Sequence, residues 1–110
     1  MTKYNSKKIT VDGEKFDSKR EYKRWCELLL LQRAGKIADL DRQVKFELIP
    51  SQRVDGKVVE RPVYYVADFV YVDTATSQKV AEDSKGFKTR DYVIKRKLML
   101  WVHGLHVKEV

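Results

Sequence analysis

The segment from Val63 to Val72 is the sequence feature that most constrains the fold of this chain. It is rich in aromatic and β-branched residues, a composition typical of a strand in the middle of a sheet. A single carboxylate, Asp68, interrupts the apolar run. Burying a carboxylate costs several kcal/mol unless it is paired or bound to a cation. The segment therefore predicts a central strand that carries a polar site.

Two helices are predicted from apolar residues that recur at helical spacing. The first spans about 19–34, between a capping residue at Asp17 or Ser18 and a stop at Gly35. The second spans about 89–103 and begins at the capping residue Thr89. The apolar stripes expected to pack on the sheet are Tyr22, Trp25, Cys26, Leu29 and Leu30 in the first helix, and Ile94, Leu98, Trp101 and Val102 in the second.

Further strands are predicted on either side of the central one. Residues 44–48 alternate between apolar and polar and predict a half-buried strand. Residues 79–85 predict another, joined to the central strand by a hairpin through 73–78. Residues 105–107 predict a last short strand. The order helix, three strands, helix, strand predicts an α/β fold with a mixed sheet and a helix on each face.

Charge and cysteine content narrow the class of partner and the compartment. The 110 residues include 23 Lys and Arg against 16 Asp and Glu, a net charge of +7 that favours a polyanionic partner such as nucleic acid. The lone cysteine, Cys26, excludes an internal disulfide and a thiolate-rich zinc site, and suits a reducing cytosol. Residues 1–8 predict a loose basic arm and residues 9–110 a single domain. We expect neither a secretory signal nor a membrane span.

A second acid and a lysine follow on the next predicted strand. Because strand side chains alternate, Asp83 and Lys85 share one face, roughly 7 Å apart. The hairpin brings Asp68 towards Asp83, and a divalent cation relieves the repulsion between two such carboxylates. Oxygen ligands from Asp68, Asp83 and the backbone carbonyl of Ser84 suit Mg²⁺ or Mn²⁺. Lys85 is then expected to orient the attacking water or to stabilise transition-state charge. An ordinary cross-strand salt bridge is the alternative explanation of these residues.

Residues outside the two strands extend this cluster. Glu21 lies at the start of the first helix, where it is expected to border the acids, to form a capping box with Ser18, or to do both. Lys88, Arg90 and Lys95 follow the cluster and are expected to contact phosphates beside the scissile bond. A solvated helix face is the other interpretation of these three cations.

The spacing of Asp68 and Asp83-Ser84-Lys85 around a hairpin resembles the PD-(D/E)xK nuclease signature. The predicted order of helices and strands is also the core of that superfamily. Within it, the chain is similar over about 14–108 to small phage and prophage proteins that are related to phage Holliday-junction resolvases. The segments that carry this similarity are 16–21, 34–37, 65–69 and 82–86.

The resemblance implies a role for each acid and for the lysine. Asp68 and Asp83 are expected to bind the metal, Glu21 to be the helix-borne acid that joins them as a metal ligand and catalytic residue, and Lys85 to be the catalytic lysine. Ala67 stands where the signature has proline. The second acid is aspartate with Glu82 beside it, and a bulge would exchange Asp83 and Glu82.

The resemblance also implies a function, which is Mg²⁺- or Mn²⁺-dependent endonuclease cleavage of DNA, with branched DNA such as a Holliday junction as substrate. A resolvase cuts two strands symmetrically, so a homodimer is expected, and the host cytoplasm is the expected location. Two alternatives stay open at this point. One is a nicking or restriction-like nuclease on duplex DNA, and the other is a non-catalytic DNA-binding accessory with the same fold.

Overall fold

The computed structural model of the chain describes residues 8–84 and 88–110. It confirms the predicted α/β class and, in its core, the predicted order of helix, three strands, helix and strand. The elements in chain order are β1 (Ile9–Val11), β2 (Glu14–Phe16), α1 (Lys19–Arg33), β3 (Ile37–Ile49), β4 (Gln52–Val54), β5 (Lys57–Glu60), β6 (Val63–Asp73), β7 (Gln78–Asp83), α2 (Arg90–Leu98), a π-helical turn (Met99–His103) and β8 (Lys108–Glu109).

The main sheet has the strand order β3-β6-β7-β8. The pairs β3–β6 and β6–β7 are antiparallel, and β7–β8 is parallel, so the sheet is mixed as predicted. The pairing of β6 with β7 runs from Asp73–Gln78 to Phe69–Glu82 and confirms the predicted hairpin. Continued by one residue, this register places Asp68 opposite Asp83, so the two acids lie at the same end of the strand pair.

Two apolar clusters cover the two faces of the sheet. Phe69 and Val70 are neighbours in β6 and belong to different clusters, because successive strand side chains point to opposite faces. The α1-side cluster contains Leu28, Ile37, Phe69 and Tyr71, and the α2-side cluster contains Phe46, Leu48, Tyr65, Ala67, Val70, Ala81, Tyr92, Met99 and Val107. Each helix therefore packs against one face.

The predicted stripe of α1 is wrong in its rotation about the helix axis. Leu28 is buried, whereas Leu29 and Leu30 are exposed. The face turned to the sheet also carries Glu21 and the partly buried Arg24, spaced three and four residues from each other and from Leu28. The prediction placed only apolar residues on the buried face of α1. Because the face that packs on the sheet also contains charged residues, the predicted face is rotated away from the observed one.

The predicted stripe of the second helix is confirmed at Leu98, which packs against the α2-side cluster, and is wrong at its other positions. Tyr92 and Met99 are buried, whereas Ile94 is exposed and Trp101 is 86% exposed. Trp101 is therefore not the core anchor that its size suggested. The α-helix gives way to a π-helical turn at Met99, and the longer hydrogen-bonded turn changes the direction of the side chains that follow.

Two strand boundaries differ from the predictions. The strand predicted at 44–48 begins at Ile37, because its first half contains Asp39 and Gln43 in left-handed backbone conformations that interrupt apolar alternation. The last strand is Lys108–Glu109 and not 105–107, because pairing with β7 starts after Val107, whose side chain enters the α2-side cluster.

The expected basic arm lies, apart from Lys8, outside the described residues. Over residues 8–84 and 88–110, no helix is both long enough and apolar enough to cross a membrane.

Glu109 ties the last strand to α2. Its Oε1 lies 2.8 Å from Lys88 Nζ, and its Oε2 accepts hydrogen bonds from the Tyr92 hydroxyl at 2.7 Å and from Arg96 Nη1 at 3.0 Å. These contacts, with that to Lys88 the largest, lower the pKa of Glu109 to about 2. The carboxylate is therefore charged well below the pH at which an ordinary glutamate is protonated.

The Glu109 contacts predict a pH-dependent stability. Because the pKa is lowered, their contribution is present above about pH 4.5 and is lost as the pH falls towards about 2. Glu109→Gln should lower the free energy of unfolding by about 1 kcal/mol at pH 7. Urea unfolding of both proteins between about pH 2.5 and 7 should show the difference shrinking below about pH 4.5. A difference that is constant over this range would contradict the assignment.

The α1-side cluster predicts a large cavity cost for one leucine and none for its near neighbour. Leu28→Ala should lower the free energy of unfolding by about 3 kcal/mol, because Leu28 is fully buried. Leu30→Ala, at an exposed position of the same helix, should change it by no more than about 0.5 kcal/mol. Chemical denaturation measures both, and equal losses would show that α1 packs in another orientation.

Candidate active site

Asp68 lies in β6, one residue beyond Phe69, the last residue of β6 that pairs with β7. Asp68 is 6% exposed, and its Oδ2 accepts hydrogen bonds from the Ser84 backbone N–H at 2.8 Å and the Ser84 hydroxyl at 2.9 Å. The side chain of Asp68 thus takes the acceptor role that a strand carbonyl has in a regular ladder. One carboxylate oxygen is thereby held in a defined orientation beside β7.

Glu21 reaches the same region from the first turn of α1. The Ser18 hydroxyl caps the helix by accepting the Glu21 N–H at 3.1 Å. The side chain turns back, and its Oε1 accepts the Asp17 N–H at 2.7 Å rather than the Ser18 N–H expected of a capping box. The carboxylate is only 1% exposed. Burial and, to a smaller degree, the charge of Asp68 raise the pKa of Glu21.

Gln43 joins these two acids and was not anticipated from the sequence. Its Nε2 donates to Glu21 Oε2 at 2.6 Å and lies 3.4 Å from Asp68 Oδ1. Gln43 lies on the surface of β3 with a left-handed backbone, φ 51°. In a strand with alternating apolar and polar residues, a polar residue is expected simply to face solvent. The sequence therefore gave no signal that Gln43 contacts the two acids.

Asp83 and Glu82 are adjacent in β7 and have different partners. The Tyr65 hydroxyl donates to Asp83 Oδ2 at 2.6 Å, on the side of the α2 cluster. Glu82 instead accepts Arg24 Nε at 2.8 Å and Nη2 at 2.7 Å, and also binds the Tyr71 hydroxyl. The hydrogen bonds to Glu82 raise the pKa of the Arg24 guanidinium. Glu82 is thus held by an ion pair to α1, and this geometry favours Asp83 as the second acid of the site.

The other residues predicted for the site either surround this cluster or lie outside the described residues. Lys85 lies outside the described residues, so its role stays a prediction. Lys88 binds Glu109, Arg90 is exposed at the start of α2, and Lys95 is half-buried on the same helix. Phosphate contacts by these three cations also stay predictions.

The donor atoms suit a hard divalent cation. In the described parts of the chain, no group of three or more His, Cys, Asp or Glu side chains is placed to hold a metal ion. Magnesium, however, is usually held by one or two carboxylates together with waters and substrate phosphate. Glu21 Oε2 and Asp68 Oδ1 face the same amide nitrogen, that of Gln43, and are oxygens of the required kind. A site built on Asp68 with a second acid therefore fits.

Comparison with known proteins identifies the family but no activity. Residues 1–106 match the family described as "Protein of unknown function (DUF1064)". The chain belongs to this family. No curated protein and no solved structure matches it. The function of this DUF1064 protein is therefore inferred from the residues and geometry of the acidic site.

Arg24 is predicted to be structural, in contrast to the acids beside it. Arg24→Ala leaves Glu82 buried without its guanidinium and should lower the free energy of unfolding by about 3 kcal/mol. Arg33→Ala, at an exposed position in the last turn of α1, should change it by no more than about 0.5 kcal/mol. The double variant Arg24→Met/Glu82→Met should recover much of the loss, as measured by urea unfolding. A single Arg24 variant with unchanged stability would refute the buried ion pair.

Proposed function

We propose that this protein is a metal-dependent endonuclease that hydrolyses DNA phosphodiester bonds, with branched DNA such as a Holliday junction as its substrate. One observation carries the proposal: buried acids from α1 and β6 are fastened together at the end of β7. Gln43 bridges Glu21 and Asp68, and Ser84 binds Asp68 from the other side. The residue after Ser84 is the lysine of the Asp83-Ser84-Lys85 motif.

The burial of the acids supports a cation-binding role over an incidental one. Glu21 and Asp68 are close enough for the charge of Asp68 to raise the pKa of Glu21. Holding two like charges together costs free energy unless a positive charge relieves the repulsion. The hydrogen bonds that Glu21 accepts from Asp17 and Gln43 come from neutral groups, and the Arg42 guanidinium offsets the repulsion only in small part. A divalent cation would relieve the repulsion between the two carboxylates more than a neutral amide does.

The residues of the site have different proposed roles in phosphodiester hydrolysis. The chemistry that Mg²⁺ or Mn²⁺ supplies when bound is neutralisation of phosphate charge and acidification of a water molecule. Asp68, Asp83 and Glu21 are the proposed ligands, with the Ser84 carbonyl completing the set. Lys85 is proposed to stabilise the additional negative charge of the transition state. Ser84 keeps Asp68 oriented through its N–H and hydroxyl groups.

The charge of the chain supports DNA as the partner. The net charge of +7 favours a polyanion, and the motif is followed by Lys88, Arg90 and Lys95. Arg90 is exposed and Lys95 half-buried at the start and middle of α2, so phosphate contacts are proposed for both. Lys88 would have to share its ammonium between Glu109 and a phosphate. The preference for branched DNA, the homodimer and the cytoplasmic location rest on the resemblance to phage resolvases.

Cleavage of a labelled four-way junction and of its linear arms tests the proposal. The purified protein with Mg²⁺ or Mn²⁺ should make paired symmetric cuts in the junction, and EDTA should abolish them. Asp68→Asn, Asp83→Asn and Lys85→Ala should each lower the rate at least about 100-fold, because each removes a group that acts in the transition state. Glu60→Gln, an exposed acid on β5, is the matched control and should cut like the wild type.

The other outcomes separate the alternatives. Equal cutting of the linear duplex would retain the nuclease and refute the preference for branched DNA. Binding of DNA without cleavage, with either metal, would refute the enzyme and favour a DNA-binding accessory. Full activity in Asp68→Asn would place the chemistry elsewhere in the protein.

A further inference from the structure

Gln43 is a surface residue whose side chain reaches two buried acids. Its amide nitrogen lies 2.6 Å from Glu21 Oε2 and 3.4 Å from Asp68 Oδ1. Both facing atoms are carboxylate oxygens, so the nitrogen of the amide, which has two N–H donors, must face them rather than its oxygen. A single group of partial positive charge therefore lies between one oxygen of each acid.

The backbone at Gln43 is itself unusual. Its φ of 51° is left-handed, a conformation that side-chain-bearing residues adopt at a cost and that clusters at functional sites. Arg42 secures the neighbouring position of β3, because its guanidinium lies 3.8 Å from the Phe16 ring centroid and donates to the Lys15 carbonyl at 2.8 Å. The strand is thus fastened to β2 independently of the Gln43 side chain.

We propose that Gln43 is a positioning residue whose amide holds Glu21 and Asp68 together and competes with a divalent cation for the space between them. The inference rests on the proposed metal site. A cation held by both Glu21 and Asp68 would compete with the Gln43 amide, whose nitrogen already contacts one oxygen of each acid. Because Gln43 is on the surface, its side chain can rotate into solvent and leave the core undisturbed. The amide thus keeps the acids aligned in the metal-free protein and is displaced when the cation binds.

Metal affinity separates this role from a merely structural one. Mn²⁺ is titrated calorimetrically, without DNA, into the wild type, Gln43→Ala and Gln43→Gly. Both variants should bind Mn²⁺ about tenfold more tightly, since no charge-assisted hydrogen bond has to be broken first. Gln43→Gly guards against misfolding, because glycine adopts the left-handed backbone without strain. Asp39→Ala is the matched control, since Asp39 is an exposed residue of β3 with the same kind of backbone, φ 55°, and should bind Mn²⁺ like the wild type.

Stability without metal gives a second readout. In EDTA, Gln43→Ala should melt at a lower temperature than the wild type, because the two acids lose their shared donor. Saturating Mn²⁺ should narrow this gap, since the cation binds the native state of the variant more tightly. A Gln43→Ala protein that is equally stable in EDTA would overturn the positioning role.

The outcomes distinguish failure of this inference from failure of the proposed function. If the wild type binds Mn²⁺ and cuts DNA while both Gln43 variants bind Mn²⁺ equally or more weakly, the competition is overturned and the nuclease stands. Weaker binding would mean that Gln43 is itself a ligand. If none of the proteins binds Mn²⁺, both the competition and the proposed metal site fall.

Discussion

Burial of carboxylates is the constraint on which the rest of this structure depends. Glu21, Asp68, Glu82 and Asp83 are all buried where α1 meets the paired ends of β6 and β7. A buried carboxylate is tolerated when hydrogen bonds or opposite charge replace the water it has lost. The donors here come from several elements, so satisfying the acids also ties α1 to the sheet and adds a side-chain link between β3 and β6. Stability and the proposed site thus depend on the same contacts.

The acids satisfy this constraint in two ways that imply different roles. Glu82 receives a guanidinium, that of Arg24, and the pair neutralises its own charge inside the protein. Glu21 accepts hydrogen bonds from the neutral N–H groups of Asp17 and Gln43. The Arg42 guanidinium favours the charged form of Glu21 only to a small degree, so burial and Asp68 still raise its pKa. An internally neutralised acid suits a structural tie between helix and sheet. An acid that lacks a direct ion pair and lies beside Asp68 suits the proposed cation site.

Prediction from sequence succeeded for the placement of residues that follows from chemical type and spacing, and their chemical roles stay predictions. A lone aspartate in an apolar strand marked Asp68, and strand alternation separated Asp83 from Glu82. Prediction failed where the orientation of a helix mattered, because periodicity gives the width of a buried face but tertiary packing chooses it. Trp101 and Leu30 are large and apolar and are nevertheless exposed. Gln43 escaped prediction because its role depends on a left-handed backbone and on two residues distant in sequence.

By itself, the sequence determined the α/β class, the order of the core elements, the β6–β7 hairpin and the two acids at its end. Those features follow from local propensity, turn chemistry and the two-residue alternation of side chains along a strand. Only the tertiary structure decided that Arg24 forms an ion pair with Glu82. It also decided that the Gln43 amide contacts one carboxylate oxygen of Glu21 and one of Asp68. Such contacts link residues more than 20 positions apart, so they exist only after the sheet and α1 have packed, and no local pattern encodes them.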